Sequence, residues 1–189
     1  MAVTFHGSAG HAGTTPMAGR DDALVRAAAF VTRVRELAEE AGDGAVATVG
    51  RLEALPGAAN VIPGRVELLV DARAPREATL AWLVDALTEA AGDADVELLR
   101  RTEPVPMAGV VQDALRGALA DLGLPAPALH SGAGHDAGVL GAAGVPAGML
   151  FVRSLNGGVS HAPDEHSDPA DVALCVDALA LALGRLAAR

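Results

Sequence analysis

Apolar residues in the N-terminal part of the chain follow two spacings: every second residue in some segments and every three or four residues in others. Val3 and Phe5 alternate with polar neighbours, which predicts a first β-strand. Over residues 21–41 apolar side chains recur every three or four positions, which predicts an amphipathic helix that ends at Gly42. The same patterns predict a second helix over 77–91 and strands over 45–49, 66–73 and 95–100. The order βαββαβ is that of a two-layer α+β sandwich of ferredoxin-like kind.

A different pattern begins near the middle of the chain, after a proline-rich segment. Helices are predicted over 110–122 and 169–186, and one apolar strand is predicted over 147–152. One buried strand and two helices are too few layers to close a core, so this region is expected to be the edge of a larger α/β domain. We therefore predict two domains, residues 1–105 and residues 106–189.

Composition narrows the possible partners. The formal net charge of −10 at pH 7 argues against a nucleic-acid surface, which would need clustered lysine and arginine. No apolar stretch approaches the ~20 residues of a membrane span, and no targeting pattern precedes the first strand. We predict a cytoplasmic protein with no membrane or nucleic-acid partner. Cys175, the single cysteine, fits a small apolar residue in a helix.

Three segments place a histidine among small or turn-forming residues. They are Gly-His-Ala-Gly-Thr-Thr-Pro-Met at 10–17, Ser-Gly-Ala-Gly-His-Asp-Ala at 131–137 and Ser-His-Ala-Pro-Asp-Glu at 160–165. Each could be a turn or a helix cap with a surface histidine, and the second could be a nest of backbone amides for an anion. His161 is the strongest single candidate for a metal ligand, and Glu165 with His166 could complete a local site by helical spacing.

Arg73 stands at the end of a predicted strand and shares a face with Asp71. An exposed ion pair between the two would contribute little to stability. The guanidinium is also a planar fork that binds a carboxylate through two hydrogen bonds. Both interpretations follow from the residues alone, which leave the choice between them open.

The histidine segments occur in one order with Asn-Val-Ile-Pro-Gly at 60–64 and Val-Asp-Ala-Arg at 70–73. In this order they resemble the second half of the metal-dependent amidohydrolases of the M20 peptidase superfamily. The greatest similarity is to the branch of allantoate amidohydrolase and N-carbamoyl-L-amino-acid hydrolase. The resemblance implies a lid or dimerisation domain followed by the C-terminal part of a catalytic domain with a pair of zinc or manganese ions. It also implies a small carboxylate substrate and a homodimer formed through the lid domain.

The resemblance also implies roles for individual residues. His161 would bind one metal ion, and His11 would reach the site of the partner subunit and stabilise the oxyanion of the tetrahedral intermediate. The other implied residues bind the substrate carboxylate or line the substrate pocket: Asn60 and Arg73 for the carboxylate, Gly134 and His135 for the pocket.

The resemblance covers only about half of a family member. The expected remainder is the N-terminal part of the catalytic domain, with the other metal ligands, the bridging carboxylate and the general-base glutamate. We therefore expect negligible hydrolysis by this chain alone. Two rival interpretations stay open: a non-catalytic truncated paralogue that acts as a dimerisation or binding module, and an aminoacylase or dipeptidase of the same superfamily.

Overall fold

The computed structural model describes residues 1–188, which form two compact units. The first unit is Met1–Pro104 and the second begins at Val105. Six strands and two helices build the first unit: β1 (Ala2–His6), β2 (Gly10–His11), α1 (Ala23–Ala41), β3 (Val46–Leu55), β4 (Val61–Ile62), β5 (Arg65–Arg73), α2 (Glu77–Ala90) and β6 (Asp95–Glu97). Apart from the short strands β2 and β4, these elements follow the predicted βαββαβ order.

The larger sheet has the strand order β3-β5-β1-β6, and every neighbouring pair is antiparallel. β2 and β4 form a separate two-stranded ribbon. Both helices pack on one face of the larger sheet, because alternate residues of β5 are buried with the apolar sides of α1 and α2. The core includes Val3, Phe5, Phe30, Val34, Val66, Leu68, Val70, Leu83 and Leu87.

Local chemistry explains where the first helix begins and ends. The Asp22 carboxylate accepts a hydrogen bond from the Leu24 amide at 2.9 Å and so caps the first turn of α1. Gly42 follows the last helical residue with a φ of 58°, a conformation that glycine adopts without a steric penalty. The predicted bounds of this helix are therefore confirmed to within two residues.

Two strand predictions differ from the structure in length. β3 runs to Leu55, beyond the predicted end at residue 49, because β5 offers a backbone partner over the whole stretch from Arg73 to Arg65. β6 has three residues, because β1 pairs with it only from Ala2 to Thr4. In both cases the available neighbour sets the length of the strand.

The second unit consists of helices joined by long loops over its described part, Val105 to residue 188. It contains α3 (Gly109–Asp121), the short α4 (Asp136–Ala142) and α5 (Pro169–Ala187), with a small core of Ala114, Leu115, Ala118 and Ala182. The strand predicted over 147–152 is wrong, since no strand forms between Val105 and residue 188. A strand needs a neighbouring backbone, and Ala147 instead uses its carbonyl to accept from the Ala108 amide at 2.8 Å. Among residues 1–188 no helix is long and apolar enough to cross a membrane.

Candidate functional site

The ribbon of β2 and β4 places His11 beside Asn60. His11 pairs with Val61, and the amide of Ala12 donates to the carbonyl of Asn60 at 2.9 Å. Both candidate side chains are exposed. The structure therefore brings together two predicted site residues that lie far apart in the sequence.

The imidazole of His11 has a defined orientation. The Gly13 amide donates to Nδ1 at 3.0 Å, and a backbone amide acts only as a donor. Nδ1 is therefore the acceptor nitrogen, and the neutral ring carries its proton on Nε2. A Cβ at Gly13 would lie 3.3 Å from Cε1 of His11, which is a tight contact. Because Gly13 has no side chain, the His11 ring can lie close to its backbone.

The segment Asn60 to Gly64 anchors the ribbon to its surroundings. A Cβ at Gly64 would lie 2.9 Å from the Ala9 nitrogen, so only glycine permits this approach. The neighbouring Pro63 carbonyl accepts from the Ala23 amide at 3.2 Å, which ties the ribbon to the start of α1. The glycine and proline of this motif thus have structural roles that hold Asn60 near His11.

Sequence reasoning did not single out Arg20, which closes the His11 turn. Its Nη2 donates to the carbonyls of Ala12 at 2.5 Å and Thr15 at 3.0 Å, and its Nε donates to Thr15 at 3.2 Å. The available signal was a turn-rich segment with several backbone carbonyls that needed donors, followed by an arginine.

Arg73 ends β5 and forms a bidentate ion pair with Asp71. Nε and Nη2 each donate to one carboxylate oxygen at 2.7 Å. These hydrogen bonds hold the pKa of the Asp71 carboxyl below its usual range and raise the pKa of the Arg73 guanidinium. The same-face ion pair considered from the sequence is therefore present.

The position of Arg73 separates it from the other candidates of the first unit. The β2–β4 ribbon adjoins the Arg65 end of β5, because Gly64 precedes that strand directly. The eight residue steps from Arg65 to Arg73 span roughly 26 Å of strand. One chain thus does not bring Arg73 together with His11 and Asn60.

In the second unit His135 caps α4. Its Nδ1 accepts from the Ala137 amide at 3.0 Å, so the neutral ring again carries its proton on Nε2. The loop before it is open at Gly134, where a Cβ would meet nothing within 4 Å. His135 and Gly134 are both exposed. The sequence missed α4, because Gly138 and Gly141 interrupt its helical pattern.

His161 lies in a loop that is held through its backbone. It has a positive φ of 60°, and its amide donates to Glu165 Oε2 at 3.0 Å. The loop is closed by Asn156 Nδ2, which donates to the Asp164 carbonyl at 2.8 Å, and by the Leu155 amide, which donates to the His166 carbonyl at 2.9 Å.

The local metal site considered from the sequence does not form. Within residues 1–188 no group of three or more histidine, cysteine, aspartate or glutamate residues is gathered around one point. Glu165 instead binds the backbone of His161. Helical spacing does not apply to these residues, because they lie in a loop and not in a helix.

The chain belongs to the peptidase family M20/M25/M40, whose model matches residues 8–185. Within that family it is similar to amidohydrolases. It is 40% identical to the N-carbamoyl-L-amino-acid amidohydrolase of Paenarthrobacter aurescens, covering 89% of this chain and 42% of the relative. It is 36% identical to the allantoate amidohydrolase of Escherichia coli K12, covering 98% and 46%.

Solved structures show the same relationship. The chain matches an amidase of the hydantoinase/carbamoylase family from Burkholderia vietnamiensis with a TM-score of 0.89 and 34% identity, over 97% of this chain and 46% of that one. It matches AtUAH in complex with (S)-hydroxyglycine with a TM-score of 0.88 and 31% identity, over 100% and 46%. The chain thus spans about half the length of the relatives it matches, and the matched part is their C-terminal half.

Proposed function

We propose that the chain supplies the lid domain and the C-terminal catalytic portion of a metal-dependent amidohydrolase. The proposed reaction is hydrolysis of a linear amide or ureido C–N bond in a small carboxylate, of the allantoate or N-carbamoyl-amino-acid type. The names of the similar enzymes support this substrate class. The two compact units support a lid domain over residues 1–105 and a catalytic portion over residues 106–189. A cytoplasmic location stays a prediction.

The geometry of the His11 turn carries the proposal. His11 is exposed, and the Gly13 amide sets the tautomer of the neutral ring with the proton on Nε2. An oriented donor of this kind stabilises negative charge that develops on a carbonyl oxygen during attack. Asn60 directly precedes the adjacent strand β4 and can bind the same substrate.

Arg73 is the proposed partner of the substrate carboxylate. Asp71 binds the Nε–Nη2 edge of the guanidinium and orients it, and the Nη1–Nη2 edge is the fork proposed for the substrate carboxylate. Within one chain roughly 26 Å of strand separates Arg73 from the ribbon. Arg73 and Asn60 can therefore bind the same carboxylate only if they come from different subunits. The proposed homodimer follows from that separation.

His161 is the proposed metal ligand of this chain. Its imidazole is exposed at a loop whose backbone is fixed, which suits a ligand that completes a site with residues from elsewhere. Zinc or manganese, when bound, would polarise the scissile carbonyl and activate a water molecule. Gly134 and His135 would line the substrate pocket, where the glycine leaves open space.

Exposed apolar side chains support further packing of the second unit. One stripe on α5 recurs at intervals of four, three and four residues and is between 44% and 64% exposed: Val172, Val176, Leu179 and Leu183. Contiguous apolar surface of this kind marks a packing interface. The N-terminal half of the similar enzymes, which this chain does not match, is the proposed cover.

The compact first unit with its exposed His11 ribbon supports a second candidate function. It could act as a non-catalytic dimerisation or binding module. This alternative predicts association with a full-length enzyme without turnover. The two proposals differ in whether the complex with the N-terminal half of a relative releases ammonia.

Co-expression with the N-terminal half of a relative tests the proposal. We use the N-terminal half of the E. coli allantoate amidohydrolase and call its complex with this chain the assembled enzyme. Ammonia release from allantoate and from N-carbamoyl amino acids is measured with added zinc or manganese. We expect turnover by the assembled enzyme that exceeds turnover by the chain alone. A complex that forms and binds metal but releases no ammonia would support the binding module instead.

A further inference from the structure

We propose that Arg20 is a positioning residue for His11, holding the turn that presents its Nε2–H to substrate. This inference rests on the proposed function of His11 as an oxyanion donor. Arg20 lies directly after a 3-10 turn (Met17–Gly19) and reaches back across the segment that follows β2. It touches backbone carbonyls and not the imidazole, so it acts through the conformation of the turn.

The carbonyls that Arg20 binds lie on both sides of the residue that fixes the ring. Gly13 donates to His11 Nδ1, and the carbonyls of Ala12 and Thr15 flank it in the chain. The amide of Thr15 also donates back to the His11 carbonyl at 3.1 Å. The Arg20 guanidinium thus closes the turn formed by the residues whose conformation orients the His11 imidazole.

The neighbouring charges show that this arrangement is specific. Two aspartates follow Arg20 directly, yet its recorded hydrogen bonds go to carbonyls. Asp21 accepts from Arg26 at 3.0 Å, and Asp22 accepts from the Leu24 amide. Both carboxylates therefore have their own structural partners, and the half-buried Arg20 is committed to the His11 turn.

The shape of the guanidinium matters as much as its charge. It donates in several directions from one plane, so it spans the Ala12 and Thr15 carbonyls together. A lysine ammonium is a compact point donor on a flexible stem and binds such a pair less well. Arg20→Lys is therefore expected to loosen the turn partly, and Arg20→Met is expected to release it.

Hydrogen exchange of the Gly13 amide in the chain itself tests the structural step. We expect exchange about tenfold faster in Arg20→Met and about threefold faster in Arg20→Lys, because closing hydrogen bonds are lost. Arg35→Met is the matched control, since Arg35 lies on the surface of α1 and pairs with Glu39. Wild-type exchange of the Gly13 amide in both Arg20 variants, as in the control, would overturn the proposal. If Arg20→Met does not fold, the lysine variant decides.

A double-mutant cycle in the assembled enzyme tests the functional step. Arg20→Met is expected to lower kcat about tenfold with little change in KM, because the His11 donor acts mainly in the transition state. In a His11→Ala background the same substitution is expected to have no further effect on kcat. An equal loss in both backgrounds would mean that Arg20 acts elsewhere and would overturn the proposal. If His11→Ala alone leaves kcat unchanged, the proposed function of His11 fails, and Gly13 exchange still decides whether Arg20 holds the turn.

Discussion

His11 and Arg73 of the first unit are held in a different way from His161 of the second unit. In the first unit the His11 ring is bound at Nδ1 by Gly13, and the Arg73 guanidinium is bound at two nitrogens by Asp71. In the second unit His161 is held through its backbone amide, and within residues 1–188 no hydrogen bond reaches its ring. The difference lies in the side chain and not in the backbone, which is fixed in both regions.

This contrast matches the chemistry proposed for each residue. A hydrogen-bond donor must offer the correct nitrogen before the substrate arrives, so its tautomer is best set by its own unit. A metal ligand obtains its orientation from the metal ion and from residues around it. On this proposal His11 belongs to a preformed element, and His161 belongs to a site that other residues complete.

Replacing His161 gives the largest expected effect. In the assembled enzyme His161→Ala should lower turnover by at least about 10³-fold and weaken metal binding, because a metal ion supplies several kcal/mol of transition-state stabilisation. His166→Ala is the matched control, since His166 serves the same loop through its backbone carbonyl. Ammonia release and metal content measure the two effects. Equal activity in the two variants would remove His161 from the metal site.

Replacing His11 is expected to act on the rate and not on binding. His11→Ala in the assembled enzyme should lower kcat about 10²-fold with KM little changed, as for loss of an oxyanion donor. The exposed His130 offers a control as His130→Ala, which should keep full activity. Steady-state kinetics on both variants check the prediction. A rise in KM without a fall in kcat would mean that His11 only binds the ground state.

The arginine prediction separates geometry from charge. Arg73→Lys should cost about 1.5–3 kcal/mol in kcat/KM for substrates with a carboxylate, because the bidentate fork is lost. The cost should disappear for an analogue that lacks the carboxylate. Arg65→Lys is the matched control, since Arg65 pairs with Glu67 on the same strand at 2.8 Å. If the analogue suffered the same loss, Arg73 would be a structural partner of Asp71.

A smaller effect is expected from crowding the His11 ring. Gly13→Ala would place a Cβ 3.3 Å from Cε1 of His11, so the ring or the turn must shift. We expect kcat of the assembled enzyme to fall about three- to tenfold. Gly19→Ala serves as the control, because a Cβ there would meet nothing within 4 Å. Gly13→Ala with wild-type kcat would show that the ring tolerates displacement.

The sequence predicted those parts of the fold that depend on local signals. The first helix was found because Asp22 caps it and Gly42 ends it. The strand over 147–152 was wrong because a strand requires a neighbour, which hydropathy does not reveal. The resemblance to a family indicated the roles of the candidate site residues. Periodicity alone predicts turns and caps at the histidine segments and the end of a strand at Arg73.

Other features of the site could not be read from the sequence. Arg20 escaped notice because its partners are backbone carbonyls, which leave no side-chain pattern. The contact between the Ala12 amide and the Asn60 carbonyl joins distant segments through main-chain atoms. The separation of Arg73 from His11 depends on the pairing of β2 with β4 at the Arg65 end of β5, and the sequence does not reveal that pairing.

The smallest expected effect concerns the pH dependence of stability from the Asp71–Arg73 pair. Because the pKa of Asp71 is lowered in the folded chain, the pair stabilises the fold fully above the unfolded pKa of about 4. That contribution is lost as the pH falls through the lower, folded pKa. Since both side chains are about half exposed, Asp71→Asn should cost less than about 1 kcal/mol at pH 7.

Urea unfolding of wild type and Asp71→Asn at pH 7 and at pH 3 measures this effect. The difference in unfolding free energy between the two chains should shrink at the lower pH, because the wild-type carboxylate is then increasingly protonated. In an Arg73→Met background the same substitution should show a smaller difference at pH 7, since its partner is gone. A difference that is the same at both pH values would mean that the ion pair does not couple to folding. Asp71 would then contribute nothing measurable to the orientation of the Arg73 guanidinium, and the proposed preorganisation of the carboxylate-binding fork would fail.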